Sequence, residues 1–168
     1  GQTSTSPLAN LKVNIYEQDG NSLVGPLDIS DQFSDLKNGA FDFGNVDQDN
    51  DIDFAITGLG PQGADSKLYL NETVFTETVA PIFTESSTEF EVSFEQLGQS
   101  SLDFIDFDND GDLDMALTGF GLTGPMFKIL VNNGQSGEAL EFTELPNSGL
   151  DPIRNARLVF GDFNGDGY

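Results

Sequence analysis

Between Asp106 and Asp114 the chain reads DFDNDGDLD, with an aspartate at every second residue. Like charges packed this closely repel, so the pattern asks for a positive charge at its centre. A hard divalent cation such as Ca²⁺ takes six to eight oxygen ligands at about 2.3–2.6 Å. Carboxylates at positions 1, 3 and 5 of a tight loop can converge on one point. Position 7 then offers its backbone carbonyl, and a carboxylate at position 9 closes the shell. Asp106, Asp108, Asp110, Asp112 and Asp114 fill these places. Gly111 sits where the chain must turn, and glycine accepts positive φ at no steric cost.

The loop recurs. GNVDQDNDIDFAITG (44–58) aligns with IDFDNDGDLDMALTG (105–119), so that Asn45, Asp47, Asp49, Asp51 and Asp53 fall on the five aspartates at an offset of 61 (45 to 106). Asn50 takes the turning place of Gly111, and asparagine is among the residues most tolerant of positive φ. A third, shorter copy, GDFNGDG, puts Asp162, Asn164 and Asp166 on positions 1, 3 and 5 at an offset of 56 (106 to 162). All thirteen of these residues are candidate metal ligands. Val46, Ile52, Phe107 and Leu113, interleaved among them, are expected to pin the loops to the body of the domain. Asp42 and Asp103, outside the loops, are expected to be strand-end groups rather than ligands. An EF-hand would need Glu at position 12, where the two complete loops carry Ile56 and Leu117. The glycine-rich nonapeptide of calcium-binding β-helices is not present. Solvated acidic turns, as in a protein adapted to high salt, do not account for acids falling at the same offset.

The flanks that must hold these loops repeat too. AFDFG (40–44), SLDFI (101–105) and RLVFG (157–161) precede them; DFAITG and DMALTG follow the two complete ones. LKVNIY (11–16), KLYL (67–70) and KILV (128–131) open each unit, with IFTES (82–86), EFTEL (141–145) and the alternating EFEVSF (89–94) as further strands. All are short, β-branched or aromatic, and bounded by Gly, Asn, Asp or Pro. No stretch has helical periodicity. The spacing predicts an all-β, β-propeller-like array of four-stranded blades, with the acidic loop joining the last two strands of each. The units are 1–10, a leader or linker; 11–66; 67–127; and 128–168, incomplete. Three units fall short of the 4–8 blades of a closed propeller, so a partial propeller, or a fragment of a longer chain, is expected.

Composition removes whole classes of function. Six basic residues against 29 acidic ones give a net charge of −23, which excludes nucleic acid and anionic membrane as partners, since both need a basic footprint. No apolar run approaches the ~18 residues of a membrane span. Cysteine and histidine are both absent, so there is no disulfide framework, thiolate metal site or Ser-His-Asp triad. Asn71-Glu72-Thr73 matches a glycosylation sequon, a match common by chance.

With Phe43-Gly44, Phe160-Gly161, the D-x-D-x-D-G-D-x-D loop and DMALTG in place, the chain resembles the FG-GAP, or VCBS-type, repeats of integrin α-chain propellers and of many secreted bacterial proteins. The resemblance covers roughly residues 11–168. It implies that each repeat is a propeller blade and that the loop binds calcium. Ile105 departs from the Phe-Gly pair, and Asn45 replaces the first aspartate, which removes a charge from that site. The resemblance implies a secreted or cell-surface, non-enzymatic module in which calcium rigidifies the blades for adhesion to a protein or glycan ligand. A structural subunit of a surface filament or cell-surface layer, formed by self-assembly, is the alternative. A polysaccharide-active enzyme is the weaker one, because the metal loops already claim nearly every clustered aspartate.

Overall fold

The structure, a computed structural model, describes residues 14–19, 21–33, 36–60, 63–72, 81–86, 97–134, 140–153 and 155–161. The leader 1–10, the strand expected at 89–94 and the third loop's Asp162, Asn164 and Asp166 lie outside them.

The described chain is mostly β-sheet, with almost no helix. A hairpin of β1 (Asn14–Asp19) and β2 (Ser22–Asp28) leads through one 3₁₀ turn, Ser30–Gln32, into two four-stranded antiparallel sheets. The first is β3 (Lys37–Gly44), β4 (Asp53–Gly60), β5 (Gly63–Asn71) and β6 (Phe83–Glu85), in that order across the sheet. The second repeats it with β7 (Gly98–Ile105), β8 (Asp114–Gly121), β9 (Gly124–Asn132) and β10 (Phe142–Glu144). Among the described residues no helix is long and apolar enough to cross a membrane.

Two features of the sheets differ from the sequence-based expectation. The acidic loop joins the first two strands of each sheet, not the last two. Gly121 pairs with Gly124 across a two-residue turn, Leu122-Thr123, and Gly60 pairs with Gly63 in the same register. Such short connections bring the following strand straight back onto its predecessor. The segments containing KLYL and KILV therefore complete the preceding sheet, and the unit boundaries after 66 and 127 fall inside β5 and β9. Residues 157–161 form no strand. They run beside β7, tied to it by the Leu158 N–H donating to Ser101 Oγ (2.9 Å).

The two sheets are copies in detail. Each first strand is interrupted by a bulge, between Lys37 and Ala40 and between Gly98 and Ser101. Asn38 and Gln99 adopt φ of 54° and 52° there, and Asn155, at the same place in the third unit, has 53°. Gly111 (99°) and Asn50 (76°) turn their loops at positive φ, as their residue types required.

The strands stack in one sense. Phe54 and Ile56 of β4 join Ile29, Phe33, Leu36 and Tyr69 in one apolar cluster, while Ala55 and Leu68 join a second. In that second cluster they meet Met115, Leu117 and Leu130 of the other sheet. Met115 and Leu117 are the counterparts of Phe54 and Ile56 at the offset of 61. Equivalent faces therefore point the same way, and unlike faces meet. Burial on both faces is why Phe54–Ala55–Ile56 and Met115–Ala116–Leu117 are continuous apolar runs instead of alternating.

Gly44 shows how closely the sheets approach. A Cβ there would stand 2.6 Å from Leu113 Cδ1 and 3.2 Å from Phe104 Cδ2, both in the second repeat. The Asp42 carboxylate accepts the Phe104 N–H (2.8 Å), and the hydroxyls of Thr57 and Ser100 share a hydrogen bond across the same contact. Asp42 thus ties sheet to sheet. In the second repeat Ile105 stands where Gly44 stands in the first; with Phe104, Phe160 and Gly161 it lines a cavity of ≈ 620 Å³. Gly44→Val, which presses on both Leu113 and Phe104, is expected to cost about 1–3 kcal/mol of overpacking strain, measured by urea denaturation.

Candidate metal centre

Each acidic loop is closed by its ninth residue. Asp114 is fully buried at the start of β8. One of its oxygens accepts the Phe107 N–H (2.7 Å) and the other the Asn132 N–H (2.8 Å). Asp53 repeats this with Val46 (2.7 Å) and Asn71 (3.0 Å). Each carboxylate so fastens the beginning of its loop to the far end of the sheet's third strand. Burial pushes the pKa of both above the ordinary carboxylate value, against the pull of the backbone donors. Asn71, the sequon asparagine, is buried at this anchor.

In the second loop the carboxylates of Asp106, Asp108 and Asp114 converge, with one oxygen from each lying within 4.8 Å of the others. Asp106 also accepts the N–H groups of Asp110 and Gly111, both at 3.1 Å, which folds the loop back over it. Asp110, expected as a ligand, is not one of the converging three; its Oδ1 accepts the Asp112 N–H (3.0 Å). Asp112 receives the Gln48 side-chain amide from the other loop.

The first loop carries an amide, Asn45, where the second has Asp106. Asp47 accepts the Asp49 N–H and Asp49 the Asp51 N–H, winding the loop in the same sense. Partial burial, then the charges of Asp53 and Asp49, raise Asp47 to about 6. Burial, then Asp49, Asp53 and Asp47, raise Asp51 to about 7. Two oxygens in this loop, Asn45 Oδ1 and Asp51 Oδ1, are buried without a hydrogen-bond donor. A cation suits such a site, because it supplies what orphaned oxygens and facing carboxylates lack. In the second loop burial and the charges of Asp110, Asp106 and Asp108 likewise raise Asp112.

The interleaved apolar residues divide. Val46 is fully buried in the core between the sheets and Leu113 packs at Gly44, but Ile52 and Phe107 are 52% and 41% exposed and lie outside that core.

Two residues that loop spacing alone does not single out join the loops. The Asn132 amide donates to Val46 O (2.9 Å) in the first loop and to Leu113 O (3.2 Å) in the second. Its own backbone N–H serves Asp114. Gln48 bridges to Asp112. Asn132 had a signal, since it and Asn71 end equivalent strands, YLN and LVN, at the offset of 61. Gln48 had none, because its counterpart is Asn109.

Comparison of the chain with protein-family models, with curated proteins and with solved structures finds no match.

The anchoring and converging roles separate by mutation. Asp114→Ala leaves two buried N–H groups without acceptors, at about 1–3 kcal/mol each, so it should lower stability even in chelator. Asp108→Ala, at an exposed position, should leave stability in chelator nearly unchanged. The raised carboxyls also set a pH dependence. The folded protein holds protons that the unfolded chain releases near pH ~4. Stability in chelator should therefore be greatest below that pH and fall as pH rises through about 6 and about 7. Urea midpoints measured across this range check the sign.

Proposed function

We propose that the chain is an extracellular calcium-binding β-repeat module of the FG-GAP or VCBS kind, its sheets being blades of a propeller-like array. In this reading calcium braces the blades for adhesion or for binding a protein or glycan at the cell surface. The observation that carries it is the convergence of Asp106, Asp108 and Asp114 at the mouth of a loop whose repeat recurs 61 residues earlier. The donors are all oxygen, and the chain has no histidine or cysteine, which suits a hard cation rather than zinc or copper. In the second loop Asp106, Asp108 and Asp114 would hold the ion; in the first, Asn45, Asp47, Asp51 and Asp53. Calcium there neutralises carboxylates that otherwise face one another, and it stabilises the folded state because only that state assembles the site. The same-sense stacking of the sheets supports the propeller-like architecture, since a sandwich would bring like faces together.

The test is a calorimetric calcium titration of chelator-treated protein with thermal melts alongside. Two ions should bind at about 10⁻⁴–10⁻³ M, as in other extracellular modules. A tenfold excess over Kd should add about 1.4 kcal/mol per site. Asp108→Ala should abolish one of the two and leave the other. Absence of binding at millimolar calcium would return the aspartates to ordinary surface acidity.

A further inference from the structure

The two acidic loops are joined by hydrogen bonds that leave one loop from between its candidate ligands and enter the other in the same way. The buried Asn132 amide donates to Val46 O (2.9 Å) and to Leu113 O (3.2 Å). Val46 lies between Asn45 and Asp47, positions 1 and 3 of the first loop, and Leu113 between Asp112 and Asp114, positions 7 and 9 of the second. Gln48 lies between Asp47 and Asp49, positions 3 and 5, and gives its side-chain amide to the Asp112 carboxylate at position 7. The opening half of the first loop is thus fastened to the closing half of the second at two places. Asn132 is itself held, since its backbone N–H goes to Asp114 (2.8 Å) and its Oδ1 accepts the Gly134 N–H (3.0 Å).

The loops are not equally assembled. Among the described residues only the second brings three carboxylates within 4.8 Å of one another. The first has an amide, Asn45, in place of one of them, and it leaves two buried oxygens, Asn45 Oδ1 and Asp51 Oδ1, without a donor. Those orphaned oxygens point to a cation independently of the spacing of the acids. The first loop therefore has acceptors waiting but more ordering still to complete, and the Gln48–Asp112 bond is where the second loop can supply that order.

Resting on the calcium reading above, we infer that the two loops take up calcium as a coupled pair, the ion in the second loop raising the affinity of the first through the Gln48–Asp112 bond. An ion that fixes the closing half of the second loop fixes Asp112, and with it Gln48 and the main chain between Asp47 and Asp49. The next ion then meets a loop whose ordering cost is partly met, which is positive cooperativity by preorganisation. Asn132 keeps the two loops at the distance at which this bond acts. The coupling is reciprocal, so the first loop's ion favours the second equally. One effect opposes it: each bound ion removes negative charge that attracts the other. Salt screens that effect over about 8 Å at physiological ionic strength and leaves the hydrogen-bonded link in place.

Gln48→Asn tests the link without removing a candidate ligand. Asn109 holds the equivalent place in the second loop at φ 61°, against 62° for Gln48, so this backbone accepts asparagine. The side chain is one methylene shorter, which withdraws the amide from Asp112. Chelator-treated protein is titrated with calcium by calorimetry in moderate salt. The unmodified chain should bind two ions cooperatively. Asp108→Ala, which disables the second loop, should weaken the ion left in the first about fivefold or more. Gln48→Asn, checked for folding by circular dichroism, should still bind two ions but with reduced cooperativity, and adding Asp108→Ala to it should weaken the first site much less. Loss of the Asp108 charge is common to both backgrounds, so the difference between them reports the link alone. Independent binding of two ions by the unmodified chain, or an equal penalty of Asp108→Ala in both backgrounds, overturns the coupling and leaves the calcium reading standing. No ion bound at millimolar calcium refutes that reading and the coupling with it.

Discussion

A carboxylate shut away from water, with each oxygen on a backbone N–H, holds each acidic loop in place. Asp53 and Asp114 do this job twice over, joining the second residue of the loop to the end of a strand two places across the sheet. The donors are neutral, so the charge is hydrogen-bonded without being compensated. The other aspartates of the loop are then wound around an uncompensated negative centre by their own bonds to backbone N–H groups. The loop's shape and the crowding of its carboxylates therefore come from the same atoms, which is the electrostatic basis of the calcium reading proposed above. Asn132 carries the arrangement from one repeat to the next by donating to both loops at once.

Much of this was legible in the sequence, because the repeats measure themselves against each other. The strands around the loops and the turning roles of Asn50 and Gly111 follow from residue type and offset. What escaped depends on neighbours in space. Strand spacing alone does not say which sheet KLYL joins, since the Gly60–Gly63 pairing that decides it looks in sequence like any other Gly-rich break. Val46 and Ile52 are both apolar loop residues, yet only Val46 has a neighbouring sheet above it. The anchoring role of Asp53 and Asp114 is hidden because a buried acceptor and a metal ligand are the same residue type at the same position. Gln48 reaches across to a loop that is 64 residues away in sequence.

The repeats also differ in length, and the difference is confined to connections. Asn71 and Asn132 are separated by the full offset of 61, but Phe83 and Phe142 by 59, and Gln99 and Asn155 by 56. Two residues are thus lost between the third and fourth strands and three between the fourth strand and the next bulge. The ladders and acidic loops keep their length, because a one-residue change there would flip every following side chain to the wrong face.

Stacking unlike faces has a consequence for how such a chain can change over generations. Where a surface packs against its own copy, each substitution enters the contact twice and must suit itself. Here every junction is written by two separate sets of residues, so one junction can drift while its neighbour is held fixed. The pair Gly44 and Leu113 at one junction, and Ile105 beside its cavity at the next, are already two different solutions in a single molecule. Duplication supplies the junctions, and each can then be specialised alone.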